Sequence, residues 1–332
     1  MSISETIYEP LSPPGISNLE ASEKEPAGLQ LSDDKKRMAD EILAHFTKED
    51  YTIPGIENGE LSEDEKFWLS HECMLRFLRA VKWSSAPAAI KRLEETLIWR
   101  REYGVYDVIT TSHVEPEALT GKMMLFGYDA DRRPAMYLRP SRQNTAESIR
   151  QVHLVVWYLE RAAELMGPGV ETIALMVDYA DKAKNPSFSQ ARAVLNILQT
   201  HYPERLGRAL IVNLPFLLSA FFKMITPFVD PVTRPKMRFN PECVREGLFT
   251  PEQLLKEWGG ELLFEYDHER YWKALVQMCE ERRARLMDEW RKRGANVGTR
   301  EWDIKMAVEG AGAQNAETDP QPEAEVEETK SA

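Results

Sequence analysis

The spacing of apolar residues divides the chain into a helical part and an alternating part. From Ser32 to about Tyr106, apolar positions recur every three or four residues, which predicts a bundle of three to five short amphipathic helices. Ser32 stands directly before an acidic run, and Ser62 has Glu65 three positions later, the forms of an N-cap and a capping box. These signals predict helices that begin just after Ser32 and Ser62.

From Lys122 onward the hydrophobic period changes. Two short apolar runs, 123–126 and 135–138, flank a loop rich in Asp and Arg, and this pattern predicts a β-hairpin. The elements expected after it are a helix at 145–166, a strand at 172–178, a helix at 187–201, a strand at 209–213, a helix at 216–225, a strand at 236–239 and helical structure at 250–293. Strands that alternate with helices predict an α/β fold with a mainly parallel sheet under helical cover.

The segment 216–229 is apolar on nearly every face. A helix of this kind is either a core helix buried on all sides or one that obtains its second apolar contact from a lipid or a membrane. The longer run 214–229 contains Ser219, Lys223 and Thr226 and falls short of the roughly 20 apolar residues that span a bilayer. We therefore expect no transmembrane helix, and the acidic, proline-containing start of the chain shows no secretory signal.

The net charge of −12 comes from the two ends of the chain. Residues 1–34 carry seven acidic residues against one lysine, and residues 301–332 carry nine against two, so the centre is nearly neutral. Both ends are rich in Pro, Ala, Glu and Ser and predict disordered tails that are dispensable for function. The expected division is a tail at 1–31, a helical lobe at 32–120, an α/β lobe at 121–293 and a tail at 294–332.

Chemistry-bearing motifs are scarce. The sequence has no Gly-x-Gly-x-x-Gly, no Gly-x-x-x-x-Gly-Lys-[Ser/Thr] and no Gly-x-Ser-x-Gly, and its six histidines are scattered singly. Cys73, Cys243 and Cys279 are far apart and predict buried free thiols, without metal-ligand spacing. Without the acidic tails no dense basic stripe emerges, so we expect no nucleic-acid partner. The sequence predicts no enzyme, no metal and no cofactor.

Four segments together resemble the CRAL-TRIO lipid-binding family, and within it the fungal phosphatidylinositol transfer proteins of the azole-resistance-associated group. In chain order they are Phe77-Leu78-Arg79-Ala80-Val81-Lys82-Trp83, Trp99-Arg100-Arg101-Glu102-Tyr103-Gly104, His201-Tyr202-Pro203-Glu204-Arg205-Leu206-Gly207 and the run from Pro227 to Lys236. The likeness extends from about Ser62 to Arg293. It implies an N-terminal helical lobe, an α/β lobe with an apolar lipid cavity, and a gate helix that closes the cavity. By position the gate residues are Phe216, Leu217, Phe221, Phe222, Ile225 and Phe228.

The resemblance also implies a lipid headgroup site. Its residues would be Glu204, Arg205, Thr233, Lys236 and Lys82. Lysine and threonine side chains can bind phosphate oxygens, and a carboxylate can accept hydrogen bonds from inositol hydroxyls. A basic residue of the family is replaced here by Val81. A Glu204–Arg205 ion pair at a strand edge is the purely structural alternative.

A departure from the family concerns the second ligand. In the family member that exchanges phosphatidylcholine, the strand matching 172–178 presents small hydroxyl residues to the choline headgroup's phosphate, and here the two positions are Ile173 and Leu175. Because they alternate along the strand, both are expected to face the cavity. An apolar pair cannot hydrogen-bond a phosphate, so a sterol or another lipid with a small headgroup is expected in place of phosphatidylcholine.

The function expected is extraction and exchange of phosphatidylinositol between membranes. The resemblance implies bound phosphatidylinositol as ligand, membrane lipids and surfaces as partners, a functional link to phosphoinositide kinases, and a monomer. It places the protein in the cytoplasm, peripherally on the endoplasmic reticulum, plasma membrane or lipid droplets. Two alternatives stay open: a carrier of sterol or another hydrophobic ligand on the same fold, and a lipid-sensing adaptor that recruits partners through its tails.

Overall fold

The described chain consists of α-helices followed by alternating strands and helices. The computed structural model describes residues 6–15, 30–181, 188–214 and 234–317. The α-helices are α1 (Asp33–Phe46), α2 (Glu63–Trp68), α3 (His71–Ala80), α4 (Ala86–Glu102), α5 (Thr111–Ala118), α6 (Ile149–Leu165), α7 (Phe188–His201), α8 (His268–Lys292) and α9 (Glu301–Glu317). The strands are β1 (Met123–Tyr128), β2 (Pro134–Leu138), β3 (Ile173–Asp178), β4 (Leu206–Val212) and β5 (Met237–Phe239).

The N-terminal helices begin where their capping residues predict. The Ser62 hydroxyl accepts a hydrogen bond from the Glu65 amide at 3.2 Å, and the Glu65 carboxylate accepts one from the Ser62 amide at 2.8 Å, so the capping box of α2 is complete. Ser32 precedes α1 as expected, but its side chain makes no capping hydrogen bond. Apolar faces of α1, α3 and α4 form one buried cluster that includes Ile42, Leu75 and Leu93. The predicted helical lobe is confirmed.

A five-stranded, mostly parallel sheet follows this helical part. The strands lie in the order β1-β2-β3-β4-β5, with β1 antiparallel to β2 and the other neighbours parallel. The predicted hairpin joins β1 to β2, where the Asp129 carboxylate accepts hydrogen bonds from the amides of Asp131 and Arg133, both at 2.9 Å. This local closure explains why an acidic and basic loop separates two buried strands.

The two faces of the sheet contribute to different hydrophobic clusters. On β3, Ala174 and Met176 belong to the main core, which also contains residues of α6 and α8. Leu175 and Val177 alternate with them and belong to a separate cluster with Tyr179. In the main core, the indoles of α6 and α8 stack at a centroid distance of 4.7 Å. These long helices therefore cover one face of the sheet.

The C-terminal tail expected at 294–332 is wrong for residues 301–317, which form α9. Ile304 and Val308 lie one helical turn apart, only 3% and 8% exposed, and pack in a cluster with Trp290 of α8. Because residues 294–332 as a whole are acidic, their composition gave no indication of this apolar pair. Buried contacts with α8 supply the stability that composition alone does not indicate.

The N-terminal tail expected at 1–31 is likewise wrong for part of residues 6–15. The Ile7 amide donates to the Leu263 carbonyl at 2.7 Å, and the Glu265 amide donates to the Ile7 carbonyl at 3.0 Å. The Arg270 guanidinium lies 4.0 Å from the centre of the Tyr8 ring. This short segment is thus attached to the chain ahead of α8. Across the described ranges, no helix is long and apolar enough to cross a membrane.

Candidate functional site

Glu204 stands in a sharp loop between α7 and β4. Its backbone has a positive φ of 60°, a conformation that is uncommon for residues other than glycine. Two residues later the chain enters β4 at Leu206. The carboxylate is half-buried, and no hydrogen bond joins it to another part of the described chain. The loop therefore presents Glu204 at the edge of the sheet with acceptor capacity to spare.

A buried hydrogen-bond network holds the chain just before Glu204 in place. The Tyr202 hydroxyl donates to Glu160 of α6 at 2.7 Å, and Arg100 of α4 binds both Glu160 oxygens at 2.9 Å. Burial would raise the pKa of Glu160, but attraction to Arg100 and the hydrogen bonds from Arg100 and Tyr202 lower it to about 2. The carboxylate is thus charged at neutral pH, and the network connects α4, α6 and the Glu204 loop.

Helix α4 also holds the C-terminal end of α7. The Trp99 indole stacks on the His201 imidazole with centroids 4.1 Å apart, and Thr96 hydrogen-bonds the same imidazole at 3.2 Å. Arg92 donates to the carbonyl groups of Gln199 and Thr200. Carbonyls in the last turn of a helix lack partners within that helix, so the arginine satisfies groups that would otherwise need water. The position of Glu204 therefore depends on the helical lobe.

Arg205 points away from its neighbour in the sequence. Its guanidinium donates to the Glu171 carbonyl at 3.0 Å, and no Glu204–Arg205 ion pair occurs within the described ranges. Burial, with added repulsion from Arg76, lowers the pKa of Arg205. The Glu171 carboxylate accepts from Arg76 at 2.9 Å and from Arg79 at 2.8 Å. Arg205 therefore belongs to a cation-rich contact between the two lobes.

Lys236 lies close to the Glu204 loop. Its ammonium group donates to the Leu206 carbonyl at 2.7 Å, which leaves two of its donors for other acceptors. Lys82 follows α3, is exposed and has a positive φ of 54°. Thr233 lies outside the described residues. The structure thus brings Lys236 to the base of the Glu204 loop.

The predicted gate lies outside the described residues: Phe216, Leu217, Phe221, Phe222, Ile225 and Phe228. Ile173 and Leu175, the two positions of β3 expected to face the cavity, lie within the described residues and pack in different hydrophobic clusters. Leu175 packs in the cluster of Val177 and Ile211, whereas Ile173 is 4% exposed and belongs to the main core. Leu175 is therefore the stronger candidate for a ligand-facing position.

Sequence reasoning missed the buried ion pairs behind the loop. Arg76 of α3 is 3% exposed and binds Glu171 and, at 2.8 Å, Glu301 of α9. The available signal was an arginine inside the otherwise apolar stretch Met74–Leu78. Buried arginines need acidic partners, but those partners lie about 100 and 225 positions away in the sequence. No group of His, Cys, Asp and Glu side chains suited to a metal occurs in the part of the chain that the structure describes.

Comparison with known proteins agrees with this architecture. A family model for the CRAL/TRIO domain matches residues 119–260, and one for the CRAL/TRIO N-terminal domain matches residues 38–95. The chain is 39% identical over 300 residues to the phosphatidylinositol transfer protein PDR17 of Saccharomyces cerevisiae, an alignment that covers 83% of this chain and 84% of that protein. The chain belongs to the CRAL-TRIO family.

A second CRAL-TRIO relative is longer than this chain. It is a CRAL-TRIO domain-containing protein of Schizosaccharomyces pombe, 45% identical over 291 residues. The match covers 86% of this chain but only 28% of the relative. The solved structure of Sfh5 has a TM-score of 0.50 and 16% identity, covering 76% of this chain and 98% of Sfh5. That likeness concerns the fold alone.

Proposed function

We propose that this CRAL-TRIO protein extracts phosphatidylinositol from one membrane, holds it in an apolar cavity and releases it to another. The observation that carries the proposal is the position of Lys236, whose ammonium group is anchored at the base of the Glu204 loop. A cation and a carboxylate at one sheet edge suit the two halves of an inositol phosphate, the phosphate and the hydroxyls. The similarity to PDR17, a phosphatidylinositol transfer protein, supports the same ligand.

The sheet offers an apolar face for the acyl chains. Leu175, Val177 and Ile211 form an apolar surface on the face that alternates with the main core. Exposure of acyl chains to water costs about 0.8 kcal/mol per CH₂, on the order of 20 kcal/mol for two chains, so free diffusion of the lipid is excluded. A dry cavity removes this cost. A few polar contacts, worth about 1.4 kcal/mol for each tenfold in affinity, then determine which headgroup is retained.

We extend the proposal to the second lipid. Leu175 supplies no hydrogen bond to a buried phosphate, and an unpaired buried anion costs several kcal/mol. A sterol or a lipid with a small headgroup avoids that cost and is the exchange partner that we propose. Exchange would occur from the cytoplasm at membrane surfaces, with the protein bound peripherally, as a monomer and in functional connection with phosphoinositide kinases.

A transfer assay with paired variants tests the function. Changing Glu204 and Lys236 together to Ala should abolish movement of labelled phosphatidylinositol between vesicles and leave the melting temperature within a few degrees, because headgroup contacts add little to the apo fold. Glu95 and Lys91 form an exposed pair on α4 with a separation of 4.0 Å, and their double change to Ala is the matched control, expected to transfer normally.

Three results would contradict the proposal. Unfolding of the Glu204 and Lys236 double variant would indicate a structural role for these residues. Retention of sterol without any phosphatidylinositol, by mass spectrometry of the lipid bound to purified protein, would favour a sterol carrier. Bound phosphatidylinositol without transfer would favour a lipid-sensing adaptor.

A further inference from the structure

A cavity lies between the helical lobe and the C-terminal helices. Its volume is about 410 Å³, and its wall is formed by side chains from α2, α3, α4, α6, α8 and α9 together with Ser70, Arg205 and the segment 105–111. A volume of this size is at the lower end of the range typical of small-molecule sites. Glu204, Lys236 and Lys82 take no part in its wall. The cavity is therefore separate from the candidate headgroup contacts, apart from Arg205, which lines it.

The wall of this cavity is densely charged. Six cationic and five acidic side chains line it. Four of the cations have carboxylate partners within the wall: Arg76 with Glu301, Arg100 with Glu160, Arg161 with Glu164, and Arg283 with Asp64. The two remaining cations are Arg205 and Lys305. Whether these two side chains have carboxylate partners determines whether the wall is neutral or positively charged.

Arg205 has no carboxylate partner among the described residues. Its contacts there are the Glu171 carbonyl at 3.0 Å and the Met166 sulfur at 3.6 Å, both made by one of its terminal nitrogens. A guanidinium has five N–H donors in a rigid fork, so most of its capacity is unused in these contacts. The fork geometry suits bidentate binding of phosphate or carboxylate.

Lys305 is buried with a shared partner. The side chain is 7% exposed, and its ammonium group is 3.2 Å from Glu301. Glu301 already accepts from Arg76 at 2.8 Å and from the Ser70 hydroxyl at 2.6 Å. Burial lowers the pKa of Lys305, Glu301 raises it, and Arg205 lowers it again. Lys305 thus shares its carboxylate with Arg76, which has Glu171 as a second partner at 2.9 Å, and Arg205 is near enough to repel the lysine.

The cavity wall therefore has one more cation than it has carboxylates, and the cation with unused donors is Arg205. Buried cations that lack a full set of partners are costly, and an entering anion would remove that cost. The hydroxyl-bearing residues Thr110, Thr111 and Tyr106 also line the space and can bond the rest of a polar molecule. An acyl chain would instead desolvate these groups without compensation. The charged side chains favour a small, water-soluble anion, and the apolar side chains that share the wall, among them Trp157 and Ile304, would contact its uncharged part.

We propose that this cavity binds a small water-soluble phosphate compound, held between Arg205 and Lys305. The ligand would contact the helical lobe, α6 and α9 at once. It would be a second ligand of the protein, separate from the transferred lipid. The same phosphate chemistry occurs in a phospholipid headgroup, so a test must separate the two sources.

Calorimetric titration of phosphatidylinositol-loaded, full-length protein separates them, because the headgroup contacts are then filled. The probes are inorganic phosphate and glycerol 3-phosphate at constant ionic strength, with glycerol as the uncharged control. We expect one phosphate or glycerol 3-phosphate per protein and no heat from glycerol. Lys305→Met should weaken the binding of both probes at least tenfold, whereas Lys91→Met, at a lysine that is 79% exposed on α4, should leave it unchanged.

Two further variants, Ala163→Leu and Lys236→Met, show whether the phosphate binds in this cavity or at the headgroup contacts. Ala163→Leu places extra volume in the cavity wall and should also weaken phosphate binding, which covers the case in which Lys305→Met does not fold. Absence of binding to the loaded wild-type protein overturns the proposal. Binding that is lost in Lys236→Met but kept in Lys305→Met and Ala163→Leu also overturns it, because the phosphate would then occupy the headgroup contacts.

Discussion

The indole of Trp99 and the imidazole of His201 lie flat against each other, with their planes within 5° and their centroids 4.1 Å apart. Trp99 belongs to α4 and His201 ends α7, so this stack joins the helical lobe to the α/β lobe. The Tyr202 ring lies nearly perpendicular to the same indole, at a centroid distance of 6.0 Å. The stack therefore lies immediately before the loop that carries Glu204.

Removal of this stack should impair lipid transfer more than it impairs folding. Trp99→Ala removes a large, partly buried ring and should lower the free energy of unfolding by about 3 kcal/mol. Because the Glu204 loop then loses a fixed support, we expect at least a fivefold loss of phosphatidylinositol transfer measured at a temperature where the variant is fully folded.

Trp83 provides a matched control for this change. It is also a partly buried tryptophan of the helical lobe, and it contacts Lys35 at 4.8 Å from the ring centre. Trp83→Ala should reduce stability but keep the transfer rate of the folded protein. Equal transfer losses in the two variants would mean that the stack does not position the loop.

The stability of the protein should fall as the pH drops from 6.5 towards 4. Burial, together with repulsion from Arg92 and Arg100, lowers the pKa of His201 to about 4. The unfolded chain then binds a proton at a higher pH than the folded chain does. The stabilisation is complete above pH 6.5 and is lost as the pH falls through 4, an effect on the order of 2 kcal/mol.

His201→Gln isolates this contribution. Its free energy of unfolding should depend less on pH between 6.5 and 4 than that of the wild type, as measured by urea denaturation at several pH values. Some dependence should remain, because burial and His113 also lower the pKa of His153. Glu160 titrates in a lower range, below pH 4.5. An identical pH dependence in the wild type and the variant would show that His201 is accessible to protons in the folded state.

Helix α9 should be required for stability although its composition resembles a tail. Deletion of residues 301–332 removes the partner of Arg76 at Glu301 and uncovers the α8 surface under Ile304 and Val308. Arg76 keeps Glu171 but loses one of its two carboxylate partners, and the apolar contacts of Ile304 and Val308 are lost as well, so the melting temperature should fall by at least about 5 °C. Deletion of 318–332 alone is the control and should leave both buried contacts in place. Equal melting temperatures for the two deletions would contradict the role of α9.

Local sequence signals predicted most elements of the fold because those elements are stabilised locally. The capping box at Ser62 and the hairpin closed by Asp129 require only neighbouring residues. Helix α9 was missed because its start is capped from a distance: the Glu72 carboxylate of α3 accepts the amides of Glu301 and Trp302 at 2.6 and 3.0 Å. No pattern within residues 301–317 contains that information.

In the candidate site, too, some features could be predicted from the sequence and others depend on residues far apart in the chain. Motif similarity named Glu204 and Lys236 as candidates, and the structure shows the Lys236 ammonium group bonded to the Leu206 carbonyl just after the Glu204 loop. It did not predict the direction of Arg205, because the left-handed backbone of Glu204 separates the two neighbouring side chains. The acceptors of Arg205 are the Glu171 carbonyl in the loop before β3 and the Met166 sulfur after α6, so tertiary packing decides where its charge lies.

The second lipid can be tested at Leu175. This residue lies with Val177 and Ile211 on the face that alternates with the main core, and it offers no hydrogen bond to a phosphate. The wild-type protein should therefore exchange labelled phosphatidylcholine slowly and labelled sterol readily between vesicles. Leu175→Ser adds a hydroxyl and should raise phosphatidylcholine transfer several-fold.

Ile173→Ser is the matched comparison for Leu175→Ser. It makes the same kind of change two residues earlier on β3, but Ile173 packs in the main core. A buried hydroxyl there lacks a partner and loses apolar contact, so this variant should lose about 2–4 kcal/mol of stability and gain no phosphatidylcholine transfer. A gain of transfer in both variants would place both side chains toward the ligand. Rapid phosphatidylcholine exchange by the wild type, with no sterol movement, would contradict the proposal, because a choline phosphate would then find its hydrogen bonds elsewhere in the cavity.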